Sequence, residues 1–113
     1  MDIVETEEFE EVGATYQCIE IQRLNHVLKE NGITDKEIRK NICSEYIASA
    51  GYFIDDQSFE SEGKRYTVNV CFEDGGGNLY VKNSQFDFHE YAYGNIEYFF
   101  EEQGETLDDV NIE

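Results

Sequence analysis

The sequence predicts an α+β domain: an N-terminal helical hairpin packed on a three-stranded antiparallel sheet, in the order ααβββ, with a short C-terminal helix. Three observations predict it. Apolar residues recur at helical spacing through the first half, the period falls to two from Tyr52 onward, and glycine-bearing turns at Asn31-Gly32, SEGK and DGGGN separate the segments. The 113 residues suffice for one hydrophobic core and fall short of two ordinary ones.

Residues 1–11 hold six acids and no base, and are expected to be a flexible acidic arm ahead of a single domain over 12–105. In ATYQCIEIQRLNHVLKENG, Ile21, Leu24, Val27 and Leu28 follow a helical period, and Asn31-Gly32 supplies a left-handed stop. Thr34 with Glu37 reads as a capping box for a second helix. Its apolar face is Ile38, Ile42, Cys43, Tyr46 and Ile47, and Gly51 is expected to end it.

YFIDDQSFE then predicts a strand that turns at SEGK into a second strand, where Tyr66, Val68, Val70 and Phe72 share one side. LYVK adds a third after DGGGN. FDFHEYAY fits either a strand or an aromatic loop. NIEYFFEEQG predicts a short helix between an Asn95 cap and a Gly104 stop, and residues 106–113 an acidic tail.

The formal net charge of −18 exceeds the magnitude of about 2 to 8 usual for a small domain. Such a field repels phosphate, so direct contact with nucleic acid or an anionic membrane surface is excluded as a function class. The charge is also unevenly distributed. Residues 12–51 hold five acids and five bases, whereas residues 52–113 hold fifteen acids, three bases and thirteen of the sixteen Phe and Tyr residues.

Cys18, Cys43 and Cys71 form no CxxC and are odd in number, so they are expected as buried thiols in a reducing compartment. The N-terminus lacks a basic, then apolar, leader, and no run of 18 apolar residues occurs. A cytoplasmic location is therefore expected.

Few motifs carry chemistry. His89-Glu90 is the best pair for proton transfer, but neighbours on a strand point to opposite faces. Asp55-Asp56 and Glu73-Asp74-Gly75-Gly76-Gly77-Asn78 offer oxygen ligands for a hard cation without matching an EF-hand, and the glycine run lacks the Lys-Ser/Thr of a phosphate loop. Neither a cofactor nor a specific metal site is expected, nor a catalytic residue.

Consecutive positions on a helix lie about 100° apart, so Tyr98, Phe99 and Phe100 cannot all share one narrow face, and at least one ring is expected near the surface. A ring flanked by carboxylates suits an arginine or lysine of a partner.

These features predict an acidic inhibitor that occupies a basic, nucleic-acid-binding surface of another protein, its carboxylates standing in for phosphates. The expected contacts are Asp55, Asp56, Glu60, Glu62, Glu73, Asp74, Asp87, Glu90, Glu97, Tyr98, Glu101 and Glu102. In size and acidity the chain resembles phage anti-CRISPR and anti-restriction inhibitors, and immunity proteins that neutralise nuclease toxins. That resemblance implies a nuclease or another nucleic-acid-binding protein as the partner. The neutral helical block is left for scaffolding or a homodimer. Two other classes compete: an enzyme with a His89/carboxylate site, and a small cytosolic domain or a subunit of a larger assembly from an organism with high internal salt. Against the latter, the chain carries 18 Glu and 8 Asp, whereas halophilic surfaces favour Asp.

Overall fold

Two long helices and a third, shorter one form the body of the molecule. In this computed structural model, which describes residues 2–4, 7–82, 86–108 and 110–112, the order is β1 (Asp2–Val4), α1 (Glu7–Glu30), α2 (Lys36–Asp56), β2 (Phe59–Ser61), β3 (Lys64–Tyr66), β4 (Cys71–Glu73), β5 (Asn78–Val81) and α3 (Phe88–Glu97). Alpha-helix α3 runs directly into a π-helical turn, Tyr98–Glu102. The α+β class and the leading helical hairpin agree with the sequence.

The sheet does not follow the expected antiparallel meander. Strands β1, β5 and β4 form a mixed sheet in which β5 is central, parallel to β1 and antiparallel to β4, while β2 and β3 pair separately as a hairpin. The expected strand over 64–72 is thus split between two sheets, with residues 67–70 irregular between them. The hairpin turn does fall at SEGK. Glu62 and Gly63 both take positive φ (50° and 79°), the geometry of a type I′ two-residue loop.

Residues 7–11, expected in a flexible arm, are the first turns of α1, and Phe9 is fully buried. Asp2–Val4 add the parallel edge strand, whereas residues 1, 5 and 6 of the expected arm lie outside the described residues. Acidic side chains in these turns suit the positive end of a helix. At the other end of the chain Leu107 is buried, so the expected tail begins as part of the core, and residues 109 and 113 lie outside the described residues.

The cap of α2 is Asp35 rather than Thr34. Its carboxylate accepts from the backbone N–H groups of Glu37 and Ile38, satisfying two donors that the helix start leaves open. The helix then runs past Gly51 to Asp56, absorbing residues expected in a strand. Gly51 is a contact point instead of a stop: a Cβ there would lie 2.7 Å from the backbone N of His89. Glycine lets α3 approach at that level, and the carboxylate of Asp55, one turn on, receives the start of α3.

FDFHEYAY is correspondingly helical from Phe88. Asn95, expected as a cap, lies inside α3 and donates its Nδ2 to Gln17 Oε1 at 2.7 Å, while Gln17 Nε2 donates to the Phe88 carbonyl at 2.9 Å. This pair of amides, Gln17 buried and Asn95 half-buried, ties α1 to α3. Gly32 and Gly104 do adopt the left-handed conformation expected of helix stops.

Two apolar clusters result. One sits among the three helices and includes Cys18, Ile21, Cys43, Ile47, Ala92, Ile96, Phe99 and Phe100. The other is aromatic, with Phe9, Phe86 and Phe88 beneath Phe72, Tyr80 and Tyr91 at the junction of helices and sheet. Phe86 and Phe88 meet edge to face at 4.7 Å. The π turn, closed by Gln103 N–H on the Tyr98 carbonyl at 2.8 Å, lets Phe99 and Phe100 be buried side by side and leaves Tyr98 half-buried against the same core. Cys18 and Cys43 are buried as expected, and burial raises the Cys43 thiol to about 11. Cys71, on a sheet edge, is exposed.

Candidate functional site

The antiparallel packing of α3 on α2 draws some of the twelve expected contact residues into ion pairs at its two ends. At one end the N-terminal turns of α2 supply lysines to the carboxylates that follow α3. Lys40 Nζ lies 2.7 Å from Glu97 and 3.0 Å from Glu101, and Lys36 Nζ lies 3.2 Å from Glu101. The Glu101 carboxyl is lowered by those lysines, Lys40 first, and Lys40 is raised by Glu97 and then Glu101. Residues 86–105 contain no lysine or arginine, but a helix about sixty residues earlier provides two lysines.

Asp55, at the opposite end of α2, has a fully buried side chain. Its Oδ1 accepts from Phe88 N–H at 3.0 Å and from Lys82 Nζ at 3.2 Å, and its Oδ2 accepts from His89 N–H at 2.8 Å and bonds His89 Nδ1 at 2.6 Å. Burial by itself would raise this carboxyl, and the His89 and Phe88 hydrogen bonds hold it below its ordinary value. Asp55 therefore caps α3 from another helix. His89 is raised, chiefly by Asp55 and against the opposing effect of burial, and the Tyr52 ring meets it edge on at 5.7 Å.

Asp87, Asp55 and His89 bring three candidate metal-ligand atoms within 4.8 Å of one another. Four donors already surround the two oxygens of Asp55, and Lys82 Nζ also reaches Asp87 at 3.5 Å. The ammonium group stands where a cation would neutralise the carboxylates, so the donor set reads as a closed brace. Chemically, Asp55 can orient the His89 ring and favour its charged form, as in a general-base pair. Among the described residues no hydroxyl or thiol hydrogen-bonds to His89 as a nucleophile. The partner of His89 is Asp55 and not Glu90, a pairing hidden from the sequence because residues 52–60 read as a strand.

Asp74 is likewise engaged. It closes the GGG turn by accepting from Asn78 Nδ2, the backbone N–H groups of Asn78 and Gly76, and the Tyr80 hydroxyl, which together hold its carboxyl at about 2 and push Tyr80 up to about 12. That is turn chemistry rather than a cation loop.

The remaining acids of the set differ. Asp56, Glu60, Glu62, Glu73, Glu90 and Glu102 are exposed, and among the described residues none forms an ion pair with lysine or arginine. Asp56 ends α2, 4.0 Å from His89, with Glu60 and Glu62 following on the adjoining hairpin and Glu90 on the first turn of α3. The two hairpin cations are turned to local partners: Lys64 lies over the Tyr66 ring at 5.9 Å and Arg65 reaches Ser58 Oγ at 3.4 Å. Between α2 and the hairpin runs a cleft of about 490 Å³ bordered by Asp56, Ser58, Arg65, Thr67 and Lys82. The most exposed aromatic of α3 is Tyr93.

No described helix is long and apolar enough to cross a membrane. Comparison of the chain with protein-family models, curated proteins and solved structures finds no match.

Proposed function

We propose that this chain is an acidic binding protein that occupies a basic, nucleic-acid-binding surface of a partner protein, as an inhibitor whose carboxylates replace phosphates. The observation that supports this reading is the segregation of its charges. Five of the cations are engaged by Glu97, Glu101, Glu105, Asp55 and Asp87. Among the described residues Asp56 at the α2 C-terminus, Glu60 and Glu62 on the β2–β3 hairpin, and Glu90 pair with no lysine or arginine.

A groove that holds a line of phosphates presents lysines and arginines needing counter-charge. Asp56, Glu60, Glu62 and Glu90, with Glu73 on β4, supply it from short, ordered elements. The field of a −18 chain would also steer a basic partner to it quickly.

The test is capture from the native host lysate at low ionic strength, followed by elution with about 0.5 M salt, which shortens the Debye length to a few ångströms. Recovery of a basic nuclease or other nucleic-acid-binding protein, displaced in competition by DNA or RNA, is the expected result. A secreted nuclease toxin encoded beside this chain would identify the immunity form of the same mechanism. Capture of no basic protein overturns the reading.

A further inference from the structure

We propose that the cleft between α1, the end of α3 and the C-terminal segment binds a small, uncharged, mainly apolar molecule with one hydrogen-bond donor, of the phenol or indole class. Three parts of the chain converge on it. Helix α1 contributes Ala14 and Cys18, one turn apart, α3 and its π turn contribute Asn95 and Tyr98, and the tail contributes Leu107 and Val110. The volume is about 250 Å³. A dry cavity of about 150 Å³ accepts benzene, so this one has room for a ring with a substituent or for two fused rings. Cys18 and Leu107 are buried in the apolar cluster among the helices, and Tyr98 and Val110 pack against it, so a ligand here would extend that core. The π turn is a second observation. Such turns are rare and recur at functional sites, and this one leaves Tyr98 half-buried at the cleft while Phe99 and Phe100 are buried.

The lining selects the ligand. Among the described residues none that borders the cleft is charged, although 30% of the chain is. A charged molecule would lose hydration there without gaining an ion partner, and the −18 field further opposes an anion. The polar residues of the lining are Thr15, Asn95 and Tyr98. Asn95 Nδ2 is committed to Gln17 Oε1 at 2.7 Å, and Gln17 Nε2 to the Phe88 carbonyl, which fixes the Asn95 amide one way round. Its Oδ1 accepts no hydrogen bond among the described residues. Every buried side-chain oxygen among them has a partner, so this one lies open to the cleft. An acceptor held in place with free lone pairs calls for a hydroxyl or N–H on the ligand. None of the lining residues is among Asp56, Glu60, Glu62, Glu73 and Glu90, so loss of the ligand and loss of a basic partner are separable.

Titration of the full chain with phenol and with indole, followed by heteronuclear NMR, tests this directly. Saturable shifts are expected at residues 14–18 and 95–98 and at Leu107 and Val110, with a dissociation constant on the order of 0.1–1 mM. Anisole, which keeps the ring without the donor, should bind about tenfold more weakly than phenol, and benzoate and benzylamine more weakly still. Phenol should slow alkylation of the buried Cys18 while the exposed Cys71 reacts as before. Ala14→Phe and, from the tail, Val110→Trp should each fill the cleft and abolish the shifts in proteins that keep a dispersed spectrum. No saturation by either probe at about 10 mM, benzoate binding as tightly as phenol, or shifts that survive either variant in a folded protein would overturn the proposal.

Discussion

Arg39 Nη2 stands 2.8 Å from Glu105 Oε1, joining α2 to the segment that follows the π turn. The same guanidinium donates to Asn25 Oδ1 at 2.9 Å and to the carbonyls of Ile33 and Thr34 at 3.1 and 2.7 Å, while Asn25 Nδ2 also donates to Glu105 at 3.0 Å. One nearly buried cation thus fixes the α1–α2 turn and the chain end together. Every buried side-chain nitrogen and oxygen among the described residues has a partner, so the network is complete.

Removing Glu105 should therefore be costly. Glu105→Gln leaves Arg39 buried without its counter-charge, and a loss of about 3 kcal/mol at neutral pH is expected. The loss should shrink in acid. Burial would raise the Glu105 carboxyl, but the Arg39 and Asn25 hydrogen bonds prevail and hold it at about 2 against an ordinary 4.5. A depressed folded-state value means the contribution is present above 4.5 and is lost as pH falls from there toward 2. Urea denaturation of both proteins across that range measures it; a gap that does not change with pH would remove the charge from the explanation.

Asp55 and His89 give the opposite pH signature at the other end of α2. His89 is raised above 6.5, so its share of stability is complete below 6.5 and is lost as pH rises through the higher folded-state value. Asp55→Asn should return the imidazole titration, followed by NMR, toward 6.5 and cost roughly 3 kcal/mol, because the start of α3 loses one of its two acceptor oxygens and Lys82 its buried counter-charge. An unchanged imidazole titration would break the assigned pairing.

The periodic helices were legible in the sequence, as were the glycine stops at Gly32 and Gly104 and the turn at Glu62-Gly63, because each depends on neighbours a few residues away. The failures have tertiary causes. YFIDD has the composition of a strand, but Ile54 belongs to the aromatic cluster and Asp55 binds the start of α3, which keeps the segment helical. FDFHEYAY alternates like a strand, yet Phe88 and Ala92 are buried one helical turn apart. The neutralisation of Glu97 and Glu101 by Lys40 and Lys36 required knowing that α3 runs antiparallel to α2. The charge is concentrated in residues 52–113, but which of its carboxylates have partners depends on contacts between elements far apart in the chain.

Gly51 carries a sharper consequence of that packing. In Gly51→Ala the added methyl would stand 2.7 Å from His89 N and 2.9 Å from the Phe88 carbonyl carbon, both backbone atoms that cannot rotate away. A helix interior normally gains from this substitution by close to 1 kcal/mol. Here a net destabilisation of about 2 kcal/mol is expected instead. Thermal melting decides the sign, and a stabilised variant would mean that α2 and α3 are farther apart.

The division of carboxylates predicts that two sets of charge reversals act differently. Glu60, Glu62 and Glu90 have no ion-pair partner among the described residues, so replacing all three with lysine should cost only about 1 kcal/mol, from the like charge set opposite Arg65 on the hairpin and at the start of α3. If the proposed surface is the binding site, the same variant should weaken the salt-sensitive partner by at least roughly 100-fold, through lost attraction and new repulsion against its lysines and arginines. Glu97→Lys with Glu101→Lys faces Lys40 and Lys36, turning attraction into repulsion between α2 and the turn that follows α3. Because these bridges are solvent-accessible, the cost should be about 1 kcal/mol of stability, with the smaller effect on affinity. Interferometry against the captured partner, run beside melting curves, separates the two sets. If the second set abolishes binding while the first has no effect, the contact surface lies at the lysine-bearing end of α2 and the hairpin end is excluded.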